Sequence, residues 1–92
     1  MKTKQIADSA RMLKAVANEK RLQILFAVAD KEMNVGEIEK LVKLSQSALS
    51  QHLAVLRAAG IVSTRRNAQT IFYKLKDDKV KELLNLLQKL FG

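Results

Sequence analysis

The side chains best suited to hydrogen-bonding chemistry lie in one stretch, Leu44–Gly60, which reads LSQSALSQHLAVLRAAG. Ser47 and Gln51 share one side of a helix drawn through it, with Ser50 on the flank. Hydroxyls and amides both donate and accept hydrogen bonds, which suits the edges of bases in a major groove. No acidic residue follows Ser45 within this stretch, so no carboxylate would repel a phosphate. Taken alone, the stretch could also be a polar surface helix that binds nothing.

The element that presents these side chains is predicted to be a helix over Ser45–Ala59. Leu49, Leu53 and Leu56 stand at i, i+4 and i+7 and form one apolar stripe that a core can hold. The serine at its start is a suitable N-cap. Gly60 can adopt the left-handed conformation that ends a helix.

A second helix is predicted to precede this one directly. It begins at Asn34, and Glu37 completes a capping box three residues later. Its inner face is expected to consist of Val35, Ile38, Leu41 and Val42. The interval Lys43–Ser45 leaves room only for a tight turn, so the two helices are predicted to form a helix-turn-helix. Lys43 in that turn is a candidate phosphate contact.

Two further helices are predicted nearer the start of the chain. The first covers Gln5–Val16 and is amphipathic. The second is capped by Asn18 and ends near Asp30–Glu32. Its apolar stripe is expected to consist of Leu22, Leu25, Phe26 and Ala29. Arg21 opens this second helix, where it could reach a phosphate or serve as ordinary surface charge.

After Gly60 the pattern changes to β-branched and aromatic runs. Ile61–Arg66 and Gln69–Leu75 flank Asn67–Ala68, which predicts a β-hairpin. Its tip carries the candidate DNA contacts Arg65, Arg66, Asn67 and Gln69. A basic hairpin that follows such a helix is a wing, whose arginines can reach a phosphate or a narrow minor groove. The alternative is a solvated tip whose charge serves solubility.

A last helix is predicted from the aspartates at 77 and 78 to about Phe91. Its broad apolar stripe, in a chain this short, suggests that it buries surface against another molecule. Together with the first helix it forms the candidate homodimer interface. The residues expected in that interface are Ile6, Ala10, Leu13, Leu83, Leu87, Leu90 and Phe91. The alternative is that the last helix simply closes the core of one chain.

Composition limits the remaining possibilities. The 92 residues carry 17 Lys and Arg against 9 Asp and Glu, a formal charge of +8, which suits a polyanionic partner. There is no cysteine and one histidine, so we expect no disulfide, no metal site and no cofactor. No catalytic set of side chains is present, and we expect no enzyme activity. No run reaches the roughly 18 apolar residues that a membrane span requires, and the start of the chain does not resemble a secretory signal. We therefore expect a single cytoplasmic domain over residues 1–92, away from membranes.

Several segments together resemble the ArsR/SmtB family of bacterial winged-helix repressors. They are Leu13–Leu25, Leu44–Gly60, Thr64–Arg66 and Thr70–Leu75, and the likeness covers nearly the whole chain. The chain looks most similar to the branch that contains a haemolysin-gene activator and the sulfide-responsive biofilm repressors. The fold implied is mainly α: four helices, a two-stranded wing and a fifth helix, in a homodimer.

The resemblance also implies a function. It implies a dimeric regulator, repressor or anti-silencing activator, that binds an inverted-repeat operator in double-stranded DNA. Gln46, Ser47, Ser50, Gln51 and His52 would lie on the helix that reads bases, with the wing alongside. For His52 itself, packing under the wing or touching a phosphate is the expectation favoured over base reading.

The sensing chemistry of these relatives is not carried over. The two cysteines of the sulfide-responsive branch correspond to Phe26 and Phe91 here, and phenyl rings cannot form a thiol switch. The metal-ligand positions of other members also lack His and Cys, and the sequence identifies no inducer. The competing function is a winged-helix protein-interaction module with weak DNA binding, whose last helix docks another protein.

Overall fold

The computed structural model describes all 92 residues and contains five helices and three strands. In chain order these are α1 (Thr3–Val16), α2 (Glu19–Ala27), β1 (Met33–Asn34), α3 (Val35–Val42), α4 (Gln46–Ala58), β2 (Val62–Asn67), β3 (Thr70–Leu75) and α5 (Asp78–Phe91). This order confirms the predicted winged helix-turn-helix. None of the helices is long and apolar enough to cross a bilayer.

Helices α2, α3 and α4 begin where the local sequence predicts, whereas α2 ends at Ala27, earlier than the predicted Asp30–Glu32. The Asn18 Oδ1 accepts from the Arg21 amide at 3.0 Å, and the Ser45 Oγ accepts from the Ala48 amide at 3.2 Å. Asn34 and Glu37 bond reciprocally at 2.8 and 2.9 Å, as a capping box requires. These bonds satisfy amides that would otherwise lack partners at the helix starts. The boundaries of the helix-turn-helix are therefore encoded locally.

The sheet contains one strand that the sequence pattern did not predict. The order is β1-β3-β2, all antiparallel, and Met33 pairs with Tyr73 in β1–β3. Two residues are too few to show an alternation, so β1 exists only because β3 supplies its partner. The predicted turn of the wing was also displaced by one residue. Asn67 pairs with Thr70, so the loop is Ala68–Gln69, with Ala68 at φ 57°.

Seventeen apolar residues form the buried core, and every helix and strand contributes to it. The predicted stripe of α4 is confirmed, since Leu49, Leu53 and Leu56 are all buried. The predicted faces of α2 and α3 are also largely confirmed, since Leu25, Ile38 and Val42 are buried, but each face included one residue that is exposed. Leu41 on α3 and Phe26 on α2 are 57% and 42% exposed, because the neighbouring elements cover other sides of these short helices.

The last helix divides its apolar residues between the core and solvent. Val80 and Leu84 are buried and hold α5 on the domain, with Leu83 and Leu87 packed beside them. Leu90 is 63% exposed. Both alternatives raised by the sequence therefore have support, because one side of α5 closes the core and another remains uncovered.

Candidate nucleic-acid interface

The outer face of α4 is polar and exposed, and its side chains make no hydrogen bonds within the chain. Gln46, Ser47, Ser50 and Gln51 are all exposed. None of these four side chains has a hydrogen bond within the chain, since those of this helix and its cap involve only Ser45, His52 and Arg57. The buried leucine stripe fixes the opposite side of the helix. The rigidly held helix α4 thus presents donors and acceptors on its outer face that are free to bind a ligand.

The turn before α4 presents a cation. Lys43 is exposed and ends α3 in the left-handed conformation, with φ 53° and ψ 52°. It forms no ion pair with any acidic residue of the chain. Its ammonium group is therefore available beside the start of α4, where a phosphate could approach.

His52 and Arg21 contact each other instead of standing free. The Arg21 Nη1 lies 3.0 Å from the His52 Nδ1, and both side chains are half-buried. The pKa of His52 lies below its ordinary value, mainly because of burial and also because of the positive charge of Arg21. The hydrogen bond of the imidazole is to Arg21 of α2, and the favoured expectation for His52, packing under the wing or touching a phosphate, stays a prediction.

The wing contains two arginines in different states. Arg65 forms an ion pair with Glu32 at 2.9 Å, and its guanidinium carbon lies 4.6 Å from the centre of the Phe72 ring. This pairing lowers the pKa of Glu32 and raises that of Arg65. Arg66 is exposed and has no partner within the chain. Of the two predicted wing arginines, only Arg66 has an unoccupied guanidinium group.

The other two predicted wing contacts, Asn67 and Gln69, are also available to a ligand. Asn67 and Gln69 are exposed and have no side-chain hydrogen bonds within the chain. They flank Ala68 at the tip of the hairpin. The tip therefore offers two amides and the Arg66 guanidinium to whatever lies beside it.

Two contacts that support this surface were not found from the sequence. Arg57 at the end of α4 donates to the Tyr73 hydroxyl, which ties the helix to the wing. Glu32, in the connection between α2 and β1, holds Arg65. Helical spacing puts Arg57 on the same flank of α4 as Ser50, but no periodicity joins Glu32 to a residue 33 positions away.

The candidate dimer surface consists of apolar residues that one chain leaves uncovered. On α1, Ile6 and Leu13 are 55% and 47% exposed, and Ala10 lies exposed between them. On α5, Leu90 and Phe91 are exposed, whereas Leu83 and Leu87 are half-buried. Leu86, which is not among the residues predicted for the interface, is 50% exposed one turn before Leu90 and adds to this face.

No three of the histidine, aspartate and glutamate side chains converge as a metal site would require. The acidic side chains that form ion pairs do so with neighbouring cations. Asp8, for example, bonds Lys4 and Arg11 on the surface of α1, and those hydrogen bonds lower its pKa.

Comparison with known proteins identifies the family and the relatives that this chain resembles. Residues 18–64 match the model of the arsR family of bacterial regulatory proteins. The chain is 52% identical to the transcriptional activator HlyU of Vibrio cholerae over 96% of its length and 82% of that protein. It is 43% identical to the biofilm growth-associated repressor of Agrobacterium fabrum, over 96% of this chain and 75% of the repressor.

The fold agrees with these relatives. The structure of HlyU from Vibrio cholerae superimposes with a TM-score of 0.93 at 51% identity, covering 98% of each chain. The matched family segment contains α2, α3, α4 and the start of the wing, which are the elements that build the polar surface described above. The chain therefore belongs to the arsR family of bacterial regulatory proteins and is a DNA-binding transcriptional regulator, not an enzyme.

Proposed function

We propose that the protein acts as a homodimer on an imperfect inverted repeat in double-stranded DNA. Each protomer inserts α4, the recognition helix, into a major groove and lays its wing alongside. The observation that carries this proposal is the polar face of α4, which is exposed and uncommitted, beside a basic hairpin tip. A net charge of +8 favours approach to DNA at any sequence.

The contacts divide into two classes. Base edges are read by the side chains of the outer face of α4, which are Gln46, Ser47, Ser50 and Gln51. The backbone and the minor groove are met by Lys43, Arg66, Asn67 and Gln69. Arg21, His52 and Arg65, which the sequence also suggested as DNA contacts, act by holding these elements in place, because each of them makes a side-chain hydrogen bond within the chain.

The dimer is formed by the uncovered apolar faces of α1 and α5. An inverted repeat has two-fold symmetry, so its two halves require a two-fold protein with recognition helices about 34 Å apart. Burial of Ile6, Leu13, Leu86 and Leu90 against a second copy would remove large apolar side chains from water. This gain accounts for side chains that would otherwise be a liability on a single small domain.

The direction of regulation depends on where the operator lies. A dimer that covers a promoter represses, and one that displaces another DNA-binding protein acts as an anti-silencing activator. The relatives include a protein named as an activator and one named as a repressor. We place the protein in the cytoplasm, as one domain over residues 1–92 that needs no cofactor to bind DNA.

Selection of bound genomic fragments, followed by sequencing, tests this function. We expect enrichment of an inverted repeat whose half-sites lie about 10–10.5 base pairs apart, or a multiple of that spacing. Gln51→Ala, carried through the same selection, is expected to lose the preference at one position of each half-site. Recovery of fragments with no shared motif would contradict the proposal and favour the alternative, a protein-interaction module with weak DNA binding.

A further inference from the structure

Arg21 joins three helices at one point. Its Nη1 lies 3.0 Å from the Nδ1 of His52 on α4. Its Nε donates to the carbonyl of Ala15 at 2.6 Å, and its Nη2 donates to the carbonyl of Lys14 at 3.2 Å. Those carbonyls belong to the last turn of α1, and Arg21 itself lies in the first turn of α2. One guanidinium group therefore connects α1, α2 and the recognition helix.

The chemistry of the contact fixes the state of the imidazole. A guanidinium has only N–H donors, so the Nδ1 of His52 must be the acceptor. The proton of a neutral imidazole then resides on Nε2. No carboxylate forms an ion pair with Arg21, so its charge is met by carbonyl oxygens and by the lone pair on Nδ1.

We infer that Arg21 is a positioning residue for DNA recognition, acting through neutral His52 to hold the recognition helix on the end of α1, and that protonation of His52 releases this anchor. His52 directly follows Gln51, which we propose reads bases, so the anchor fixes the helix beside the base-reading face. The inference rests on the proposed function only for its consequence on DNA. The pairing itself is a property of the free protein.

Protonation removes the acceptor and places two cations in contact. Arg21 is the charged group that faces the imidazole from α2, and the α1 side contributes the carbonyls of Lys14 and Ala15. Burial and the Arg21 charge hold the pKa of His52 below its ordinary value of 6.5. A depressed pKa means that the folded state favours the neutral ring. The stabilisation is complete above pH 6.5 and is lost as the pH falls through the lower, folded-state value.

The first test needs no DNA. His52 is the only histidine, so nitrogen NMR of the imidazole can be assigned without ambiguity. We expect a neutral ring protonated on Nε2 and a titration midpoint below 6.5, moving upward in Arg21→Gln. A ring protonated on Nδ1, or a midpoint unchanged by Arg21→Gln, would overturn the pairing whatever the protein does with DNA.

The second test measures binding to the selected operator and to random DNA of the same length. Arg21→Gln is expected to lower the operator-to-random affinity ratio about tenfold, the scale of one hydrogen bond to a charged group. The dependence on salt should stay unchanged. Lys14→Gln is the matched control, because it removes a nearby cation and keeps the backbone acceptor. A direct phosphate contact of Arg21 would instead weaken both DNAs equally and flatten the salt dependence, which would overturn the inference.

A third variant separates the anchor from stability. His52→Gln keeps an acceptor for Arg21 but cannot titrate in this range. The wild type is expected to keep its operator discrimination above pH 6.5 and to lose it as the pH falls through the lower, folded-state pKa of His52, whereas His52→Gln is expected to retain it. An equal loss in both proteins would overturn the proton-linked release. Thermal unfolding of each variant shows whether a loss of binding is a loss of fold.

Discussion

The hydroxyl of Tyr73 accepts a hydrogen bond from Arg57, and the guanidinium carbon of Arg57 lies 5.9 Å from the centre of the tyrosine ring. Arg57 is in the last turn of α4, and Tyr73 is in the central strand of the sheet. The recognition helix and the wing are therefore linked by a side-chain pair as well as by the chain itself. Because Tyr73 is 3% exposed, the position of its hydroxyl group is set by the core.

Tyr73→Phe is expected to lower the free energy of unfolding by about 0.5–1.5 kcal/mol. The substitution removes the acceptor while the ring keeps its packing, and the exposed Arg57 can turn to water. Chemical denaturation followed by circular dichroism measures the change, since the chain has no tryptophan to report unfolding by fluorescence. Thr64→Val in the same sheet, where the hydroxyl is exposed, is the control. A loss above about 3 kcal/mol would show that packing rather than the hydrogen bond had been disturbed.

Gln51→Ala is expected to cost about 1–3 kcal/mol on the cognate operator and almost nothing on random DNA. An amide can bond adenine through two atoms at once, and alanine cannot. Ala54→Gly offers a control on the same face that removes no polar group, although its cost to the helix must be measured separately by unfolding. If Gln51→Ala leaves the ratio of cognate to random affinity unchanged, this residue does not read sequence.

Arg66→Ala is expected to weaken binding to every DNA sequence and to reduce the salt slope by about one. Its guanidinium group is unpaired in the free protein and can neutralise one phosphate. Arg65→Ala serves as the comparison, because Arg65 is already paired with Glu32. Its salt slope should change less. Titrations at several salt concentrations distinguish the two, and equal slopes for both variants would refute the assignment of separate tasks.

Leu90→Asp is expected to convert the proposed dimer to a monomer without unfolding the chain. Leu90 is 63% exposed in one chain, so the new charge reaches water unless a second copy covers it. Asn85→Asp introduces the same carboxylate on another side of α5 and should remain dimeric. Analytical ultracentrifugation gives the mass directly. A wild-type protein that sediments as a monomer at micromolar concentration would remove the basis for a two-fold operator complex.

Polysulfides and zinc are expected to leave operator affinity unchanged. A covalent response to persulfide needs a thiolate, and the chain has no cysteine. Zinc sensing needs several converging ligands, and the chain has one histidine and no cluster of carboxylates around it. Titration of the operator complex with each reagent, below aggregating concentrations, checks this. Reversible release at stoichiometric amounts would reveal a sensing site of another kind.

The sequence by itself determined the elements whose signals are local. Asn18, Asn34 and Ser45 cap the helices they were predicted to cap, because each bond spans only three residues. The leucine stripe of α4 and the left-handed Gly60 are equally short-range features. The position of the polar face of α4 follows from them, since a helix that buries one side must expose the other.

The tertiary structure alone decided which of the charged side chains are free. Arg65 and Arg66 are adjacent, and nothing in the sequence distinguishes them, yet Glu32 occupies only the first. The sequence left Arg21 as either a phosphate contact or an ordinary surface charge, and the fold brings the end of α1 and His52 within its reach. The strand β1 likewise depends on a partner about forty positions away. Such contacts join side chains that lie far apart in the sequence, so no local spacing or periodicity predicts them.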